Sequence, residues 1–213
     1  MADAEIRAIV NADSLRSLSD GVTEKIGMSP RGELLVVDFY TRLALEGRIF
    51  EVRLGTITTP LTGDVNITDA AAEASTDAAT GMTIIPLYLN VDLESFAGGT
   101  LPECTAKGVA AVSTSGGVFV ALPRMTGGNA ATQVSRVAAA GGVAVPAELA
   151  TTTNRYFGNR VTAQADRILA DHAFLPPPVL KGPACFYVQI AATTAGPVYF
   201  ANYDYAEIPT TSL

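Results

Sequence analysis

Ile85-Pro86-Leu87-Tyr88-Leu89-Asn90-Val91-Asp92-Leu93-Glu94 is the stretch on which the fold turns. Apolar side chains at 85, 87, 89, 91 and 93 alternate with polar or amphipathic ones at 88, 90, 92 and 94. That is the two-residue period of a strand with one core face and one wet or interfacial face. Pro86 lacks a backbone donor, so this end of the strand is expected at a sheet edge or a bulge.

The neighbouring sequence repeats the theme. Phe50, Val52 and Leu54 alternate with Glu51 and Arg53 and predict a strand over 49–54. Just before it, Val36, Val37, Tyr40 and Leu43 fit one helical face, while Leu34 to Phe39 taken alone suits a buried strand; either reading sends the segment up to Gly47 into the core. Residues 55–81 are weakly patterned and read as a loop with a short strand near Val65 to Ile67. Two hairpins are expected next, Val109–Val112 with Val118–Leu122 and Val134–Ala139 with Val143–Leu149, each around a glycine-containing turn. Tyr156 to Val161 reads as a further strand, 163–173 as a short helix or loop, and Pro176-Pro177-Pro178 as an extended link. Residues 182–209, which hold four of the seven tyrosines, read as a closing β-hairpin.

The tally is eight to ten short strands with no regular βα alternation, which predicts an all-β chain: an antiparallel β-sandwich, of jelly-roll or another Greek-key topology ahead of a closed barrel, with at most short helices. Residues 1–31 differ. Ile6, Ile9, Val10, Leu15, Leu18, Val22 and Ile26 are loosely spaced and interrupted by Asn11, Asp13 and Ser19-Asp20-Gly21, as in an arm lying across its own or a neighbouring subunit, with simple disorder the competing reading. The expected organisation is an arm over 1–31 and one β-sandwich domain over 32–213.

Composition narrows function. The 213 residues can bury a substantial core, only 16% are charged, and tryptophan is absent. Such a surface has few charges to keep copies apart, which favours assembly. The net charge is −7, and residues 54–130 hold Asp64, Asp69, Glu73, Asp77, Asp92, Glu94 and Glu103 against only Lys107 and Arg124. Without a basic run or tail, direct nucleic-acid binding is not expected. Asp3 and Glu5 stand where a signal peptide would be basic, and no apolar run approaches the ~20 residues of a membrane span, so a soluble chain without a cleaved signal is expected.

The candidate chemical sites are weak. Cys104 and Cys185 read as two separate buried thiols rather than a disulfide. Asp69, Glu73 and Asp77 stand four apart, but without the Asp-x-Asp-x-Asp-Gly loop of a calcium site they read as a solvated acidic face. Asn66-Ile67-Thr68 fits the glycosylation pattern, which matters only on a eukaryotic secretory route. His172, the only histidine, lacks a nucleophile motif, and one histidine with two distant cysteines falls short of a zinc set. Ser113-Thr114-Ser115-Gly116-Gly117 reads as a turn rather than a nucleophile elbow, and Met125-Thr126-Gly127-Gly128-Asn129 as a connector rather than a phosphate loop. Asp92 with Glu94, or Asp204 with Glu207, is a carboxylate pair of the kind a glycosidase uses, but no tryptophan supplies a sugar platform. No catalytic, metal or cofactor residues are assigned, and no enzyme activity is expected.

In the last strand, Tyr199, Tyr203 and Tyr205 share one face, and Val198, Phe200, Ala206 and Ile208 the other. The aliphatic side is expected in the core and the tyrosine side against a neighbouring subunit or covering loop. The expected subunit contacts are therefore Ile6, Ile9, Leu15 and Leu18 from the arm and Tyr199, Tyr203 and Tyr205 from the last strand.

Arg31-Gly32-Glu33-Leu34-Leu35-Val36-Val37-Asp38-Phe39-Tyr40, Leu43-Ala44-Leu45-Glu46-Gly47-Arg48-Ile49-Phe50 and Tyr203-Asp204-Tyr205-Ala206-Glu207-Ile208-Pro209 give the chain, over most of 31–209, a style that resembles uncharacterised structural proteins of tailless or environmental bacteriophages. The resemblance implies a single jelly-roll capsid or virion-surface protein that assembles in many copies with itself and other virion proteins, and it carries over no catalytic residue. The competing expectations are a carbohydrate-binding or adhesion β-sandwich and an extracellular filament subunit.

Overall fold

The computed structural model describes residues 39–66, 71–97, 100–138, 143–145, 153–161, 163 and 166–212. One helix, α1 (Phe39–Leu45), precedes β1 (Ile49–Leu54), β2 (Leu61–Thr62), β3 (Ala71–Ala72), β4 (Ala74–Ala78), β5 (Met82–Ser95), β6 (Glu103–Val109), β7 (Gly117–Phe119) and β8 (Leu122–Pro123). Then follow β9 (Ser135–Val137), β10 (Val143–Ala144), β11 (Thr153–Arg160), β12 (Ile168–Ala173), β13 (Leu180–Lys181), β14 (Ala184–Ala191), β15 (Val198–Pro209) and a 3₁₀ turn at Thr210–Ser212.

The fifteen strands among the described residues exceed the eight to ten expected, because seven of them have only two or three residues. The eight longer ones, β1, β4, β5, β6, β11, β12, β14 and β15, carry the architecture. One sheet runs β12-β5-β15-β1-β8, with β13 on β5 and β2 on β15; the other runs β11-β6-β14-β4-β9-β7; β10 and β3 form a separate pair. Counted in chain order, the long strands pair first with eighth, second with seventh, third with sixth and fourth with fifth, all antiparallel. The roll is closed by β15 on β5 in one sheet and β14 on β6 in the other. This is one long hairpin rolled into two facing sheets, a jelly-roll sandwich.

The strand expected over 49–54 and the long strand around 85–94 are both present. The ladder between β5 and β15 shifts register where Tyr205 faces Pro86 and Asp204 faces Tyr88, so the bulge expected of Pro86 is there, in an interior strand. Leu87 is the extra residue, and the alternation changes phase across it: Leu89, Val91 and Leu93 face the inter-sheet core, whereas Ile85 and Leu87 pack outward with Leu43 of α1, Ala206 and Ile208.

α1 settles the ambiguity before Gly47 in favour of helix for the residues described. Gly47 (φ +67°) terminates it: Gly47 N donates to Ala44 O (3.0 Å) and Arg48 N to Leu43 O (2.9 Å), the two bonds of a Schellman ending.

Local hairpin readings fare worse. β14 and β15 lie in opposite sheets, so residues 182–209 form an arch, not a hairpin. All eight residues of β14 are buried, its even positions in the core and Cys185 and Tyr187 under β3 and β10, so it needs cover on both faces. The crossing at Ala192–Pro197 requires Gly196, where a Cβ would collide with the carbonyl of Gly63. β6 does not pair with β7, nor β9 with β10; β7 and β4 flank β9, and β10 pairs with β3. The short glycine-rich connections lead between partners remote in sequence rather than back along one ladder. The weakly patterned stretch near 70–80 contains β3 and β4, and 168–173 is strand rather than helix. β4 hides its strand character because its inner face is Ala74, Thr76 and Ala78, while β12 breaks alternation at a bulge between Ile168 and Ala170.

Candidate functional site

An aromatic chain runs through the sandwich. Phe50, Tyr205, Tyr203, Phe186, Phe174, His172 and Phe157 follow one another with ring centroids 4.8–6.4 Å apart, crossing from β1 to β11. Tyr199, Tyr203 and Tyr205 are each 0% exposed. The face assignment of β15 is thereby corrected: the tyrosine side is the interior, and these three residues are not available as subunit contacts. The polar tip of Tyr203 is accommodated because its hydroxyl lies 2.7 Å from Thr76 Oγ1, itself 2.9 Å from Ser135 Oγ. The opposite face divides in two. Ala206 and Ile208 are covered by α1, and Phe200, Asn202 and Asp204 stay partly open. Ile6, Ile9, Leu15 and Leu18 lie outside the described residues.

The acidic set is also different from expectation. Glu73 and Asp77 are buried, Asp69 lies outside the described residues, and no helix aligns them. Glu73 sits in the bend between β3 and β4, where its carboxylate accepts from Asp64 N (3.1 Å) and Ile190 N (2.7 Å). Burial pushes this carboxyl up to about 8, against the opposing pull of those backbone donors. Asp77 accepts from Ser113 N (2.9 Å) and Ser113 Oγ (2.7 Å), tying the 113–117 loop to β4. Among the described residues no group of three or more His, Cys, Asp or Glu is placed to hold a metal ion.

Cys104 and Cys185 are free and buried, as two separate thiols, and burial pushes both well up. His172 is held between Phe157 and Phe174, with centroids at 4.8 and 4.9 Å, a packing role. On the open face of the β12-β5-β15-β1 sheet, Arg124 clamps Asp204 through Nε (3.0 Å) and Nη2 (2.6 Å), and Tyr88 donates to Asp171; that bond is the main cause lifting the Tyr88 phenol to about 12. Asp92 is raised mainly by burial, with Asp171 adding to it.

The surface feature that the sequence reading passed over is on the far edge. Residues 117–123 run extended from β7, the edge of one sheet, to β8, the edge of the other. Phe119 and Ala121 turn inward, while Val118 (69%), Val120 (67%) and Leu122 (41%) turn to solvent. β7 and β9 pair Val118 with Arg136 and Phe119 with Ser135, and one further step of that register sets Val120 opposite exposed Val134. An outward aliphatic row on a sheet edge is a place where another chain is expected. The alternation of Val118, Val120 and Leu122 with Phe119 and Ala121 is visible in the sequence, but as one strand of an expected hairpin it does not tell which face meets solvent.

No protein-family model, curated protein or solved structure matches the chain. Among the described residues no helix is long and apolar enough to cross a membrane.

Proposed function

We propose that this chain is a structural subunit that assembles in many copies through the edge of its jelly roll, and that it serves as a capsid or capsid-surface protein of a virion. The observation that carries the reading is the row Val118, Val120, Leu122 and Val134, whose aliphatic side chains face solvent at the edge. The occupant we assign is the amino-terminal arm of a second copy. Residues 1–38 can reach about 125–137 Å when fully extended, enough to leave their own domain and cross a neighbour. Ile6, Ile9, Leu15 and Leu18 supply its apolar contacts. The jelly roll supports the role as an architecture common in capsid proteins, and lectins and cupins share it, so the fold alone does not decide.

The test is size-exclusion chromatography with electron microscopy on the full chain, on a chain lacking residues 1–30, and on Val120→Lys. Shells or capsomers from the full chain, with both variants monomeric and retaining their β circular dichroism, are the expected result. Unchanged particles from the arm-deleted chain overturn the arm assignment; fibres favour a filament subunit, and a monomeric full chain overturns assembly altogether.

A further inference from the structure

The link from β12 to β13 lies at the opposite edge of its sheet from β8 and the aliphatic row. Residues 173–180 read Ala-Phe-Leu-Pro-Pro-Pro-Val-Leu, a run with no charge and no side-chain hydrogen-bond donor. Phe174 and Leu180 anchor it in the core, at 3% and 4% exposed, and Phe174 N donates to Leu87 O (3.0 Å). Between them Leu175 is 78% exposed, more than any other large apolar side chain among the described residues, and Val179 is 55% exposed. Pro176, Pro177 and Pro178 fix φ along the backbone that joins these two side chains, so both stand on a stiff support.

The same loop forms one wall of a cavity of about 470 Å³, whose other walls include Tyr156, His172 and Phe174. Each of those rings is set by its packing. Tyr156 lies across Gly108, where a Cβ would be 2.6 Å from the tyrosine Cε2, and His172 is held between Phe157 and Phe174. A stiff knob and a stiff hole therefore stand side by side on one patch. The run 173–180 offers nothing to a charged or strongly hydrated ligand, because it would strip water from that ligand without replacing the hydrogen bonds. What matches it is an apolar side chain on a stiff support, and Leu175 of a second copy has that form.

We infer that two copies of the chain associate through this patch about a two-fold axis, each placing its Leu175 in the other's cavity. A two-fold contact must be self-complementary, and a patch that holds both knob and hole meets that condition with one surface. The cavity is of the size that takes a small molecule, so a leucine with its adjoining proline fits within it. The prolines have little freedom to lose on docking, which lowers the entropic cost. A contact built on one loop is small beside the roughly 800 Å² per partner of a standard interface, so a weak Kd of about 0.1–1 mM is expected. Its role in assembly rests on the reading proposed above: the arm-to-edge contact joins unlike surfaces and alone gives rings or filaments, and the two-fold contact joins such units to one another.

The full chain carrying Val120→Lys, which blocks the edge, isolates this contact, and the result does not depend on whether the wild-type chain forms particles. Sedimentation equilibrium from about 10 μM to about 1 mM is expected to give a monomer–dimer equilibrium that stops at two. His172 is the only histidine, so its ring proton resonances report on the cavity directly, and they are expected to shift with concentration along the same curve. Adding Leu175→Asp, at an exposed position where folding is little affected, is expected to leave a monomer at the highest concentration and a histidine signal that does not move, with circular dichroism unchanged. Leu175→Met keeps an apolar knob and is expected to stay within about threefold of the parent Kd. A parent that remains monomeric, association that runs past two, a histidine signal unmoved in the dimer, or a dimer indifferent to Leu175→Asp overturns the inference.

Discussion

Glu73 makes stability depend on pH in a direction opposite to that of an ordinary surface carboxylate. Its carboxyl is 5% exposed, and burial raises it from 4.5 to about 8. Between those values the folded chain holds a proton that the unfolded chain has released, so unfolding releases a proton and rising pH favours it. The contribution is fully present below pH 4.5 and lost as pH rises through about 8. At about 1.4 kcal/mol per pH unit the whole window is worth about 5 kcal/mol, of which roughly 3 to 4 kcal/mol falls between pH 5 and pH 8. Glu73→Gln removes the titration while keeping the shape. One amide oxygen still accepts from Ile190 N, but the NH₂ meets the other backbone donor, at a cost of about 1–3 kcal/mol. Urea unfolding of both proteins at half-unit steps from pH 5 to 8.5 isolates the group, because all other titrations are shared. The variant is expected to be the less stable protein at pH 5 and the more stable one at pH 8, so that the two curves cross. Parallel curves would refute the argument that desolvation outweighs the two backbone donors.

The remaining predictions concern the buried hydroxyls, the thiols and the edge. Tyr203→Phe strips a hydroxyl from the Thr76–Ser135 network and should cost about 1 kcal/mol, whereas Tyr199→Phe removes a buried hydroxyl without a partner and should be neutral or stabilising by up to about 1 kcal/mol; both are read by urea midpoint at constant slope. Equal losses in the two variants would contradict the hydrogen-bond assignment. Neither Cys104 nor Cys185 should react with a thiol reagent at pH 8 in the native state, and both should react in urea, since burial keeps them as thiols. Val118→Lys and Val120→Lys should leave the urea midpoint of the dissociated chain within about 0.5 kcal/mol of wild type, as exposed positions do, while dispersing any assembly seen by light scattering. A large stability loss would place those side chains in the fold rather than on an interface.

The parts of the fold that were legible in the sequence are those where one residue's environment repeats every second position. Phe50, Val52 and Leu54 satisfy that condition, and so do Leu89, Val91 and Leu93. Pro86 announced a break in the ladder because a missing donor acts locally, yet the change of face it produces depends on how β15 is paired, which is not a local property. β4 was hidden for a different reason. Its inner positions are small or polar, and Thr76 is tolerated inside only because Ser135 and Tyr203, 59 and 127 residues away, complete its hydrogen bonds. The acidic residues misled in the same way: Glu73 and Asp77 look like a wet face until backbone donors from Asp64, Ile190 and Ser113 converge on them.

The pairing errors share one cause, and it bears on the surfaces. Short glycine-rich connections make adjacent strands look like hairpins, but in this jelly roll β14 and β15 pair with β4, β6, β1 and β5 instead of with each other. A tyrosine-bearing strand read as one half of a terminal hairpin has an outer face by construction. The same strand placed between β5 and β1, under the opposite sheet, has its tyrosines enclosed, with Tyr203 hydrogen-bonded to Thr76, and none of them is left as a contact surface. The converse holds for 117–123. As one strand of a hairpin its two faces are not told apart, whereas a segment that passes from the edge of one sheet to the edge of the other offers Phe119 and Ala121 to the interior and turns Val118, Val120 and Leu122 outward. Long-range pairing therefore moves the candidate interface from the last strand to the sandwich edge, with no change in which residues are apolar.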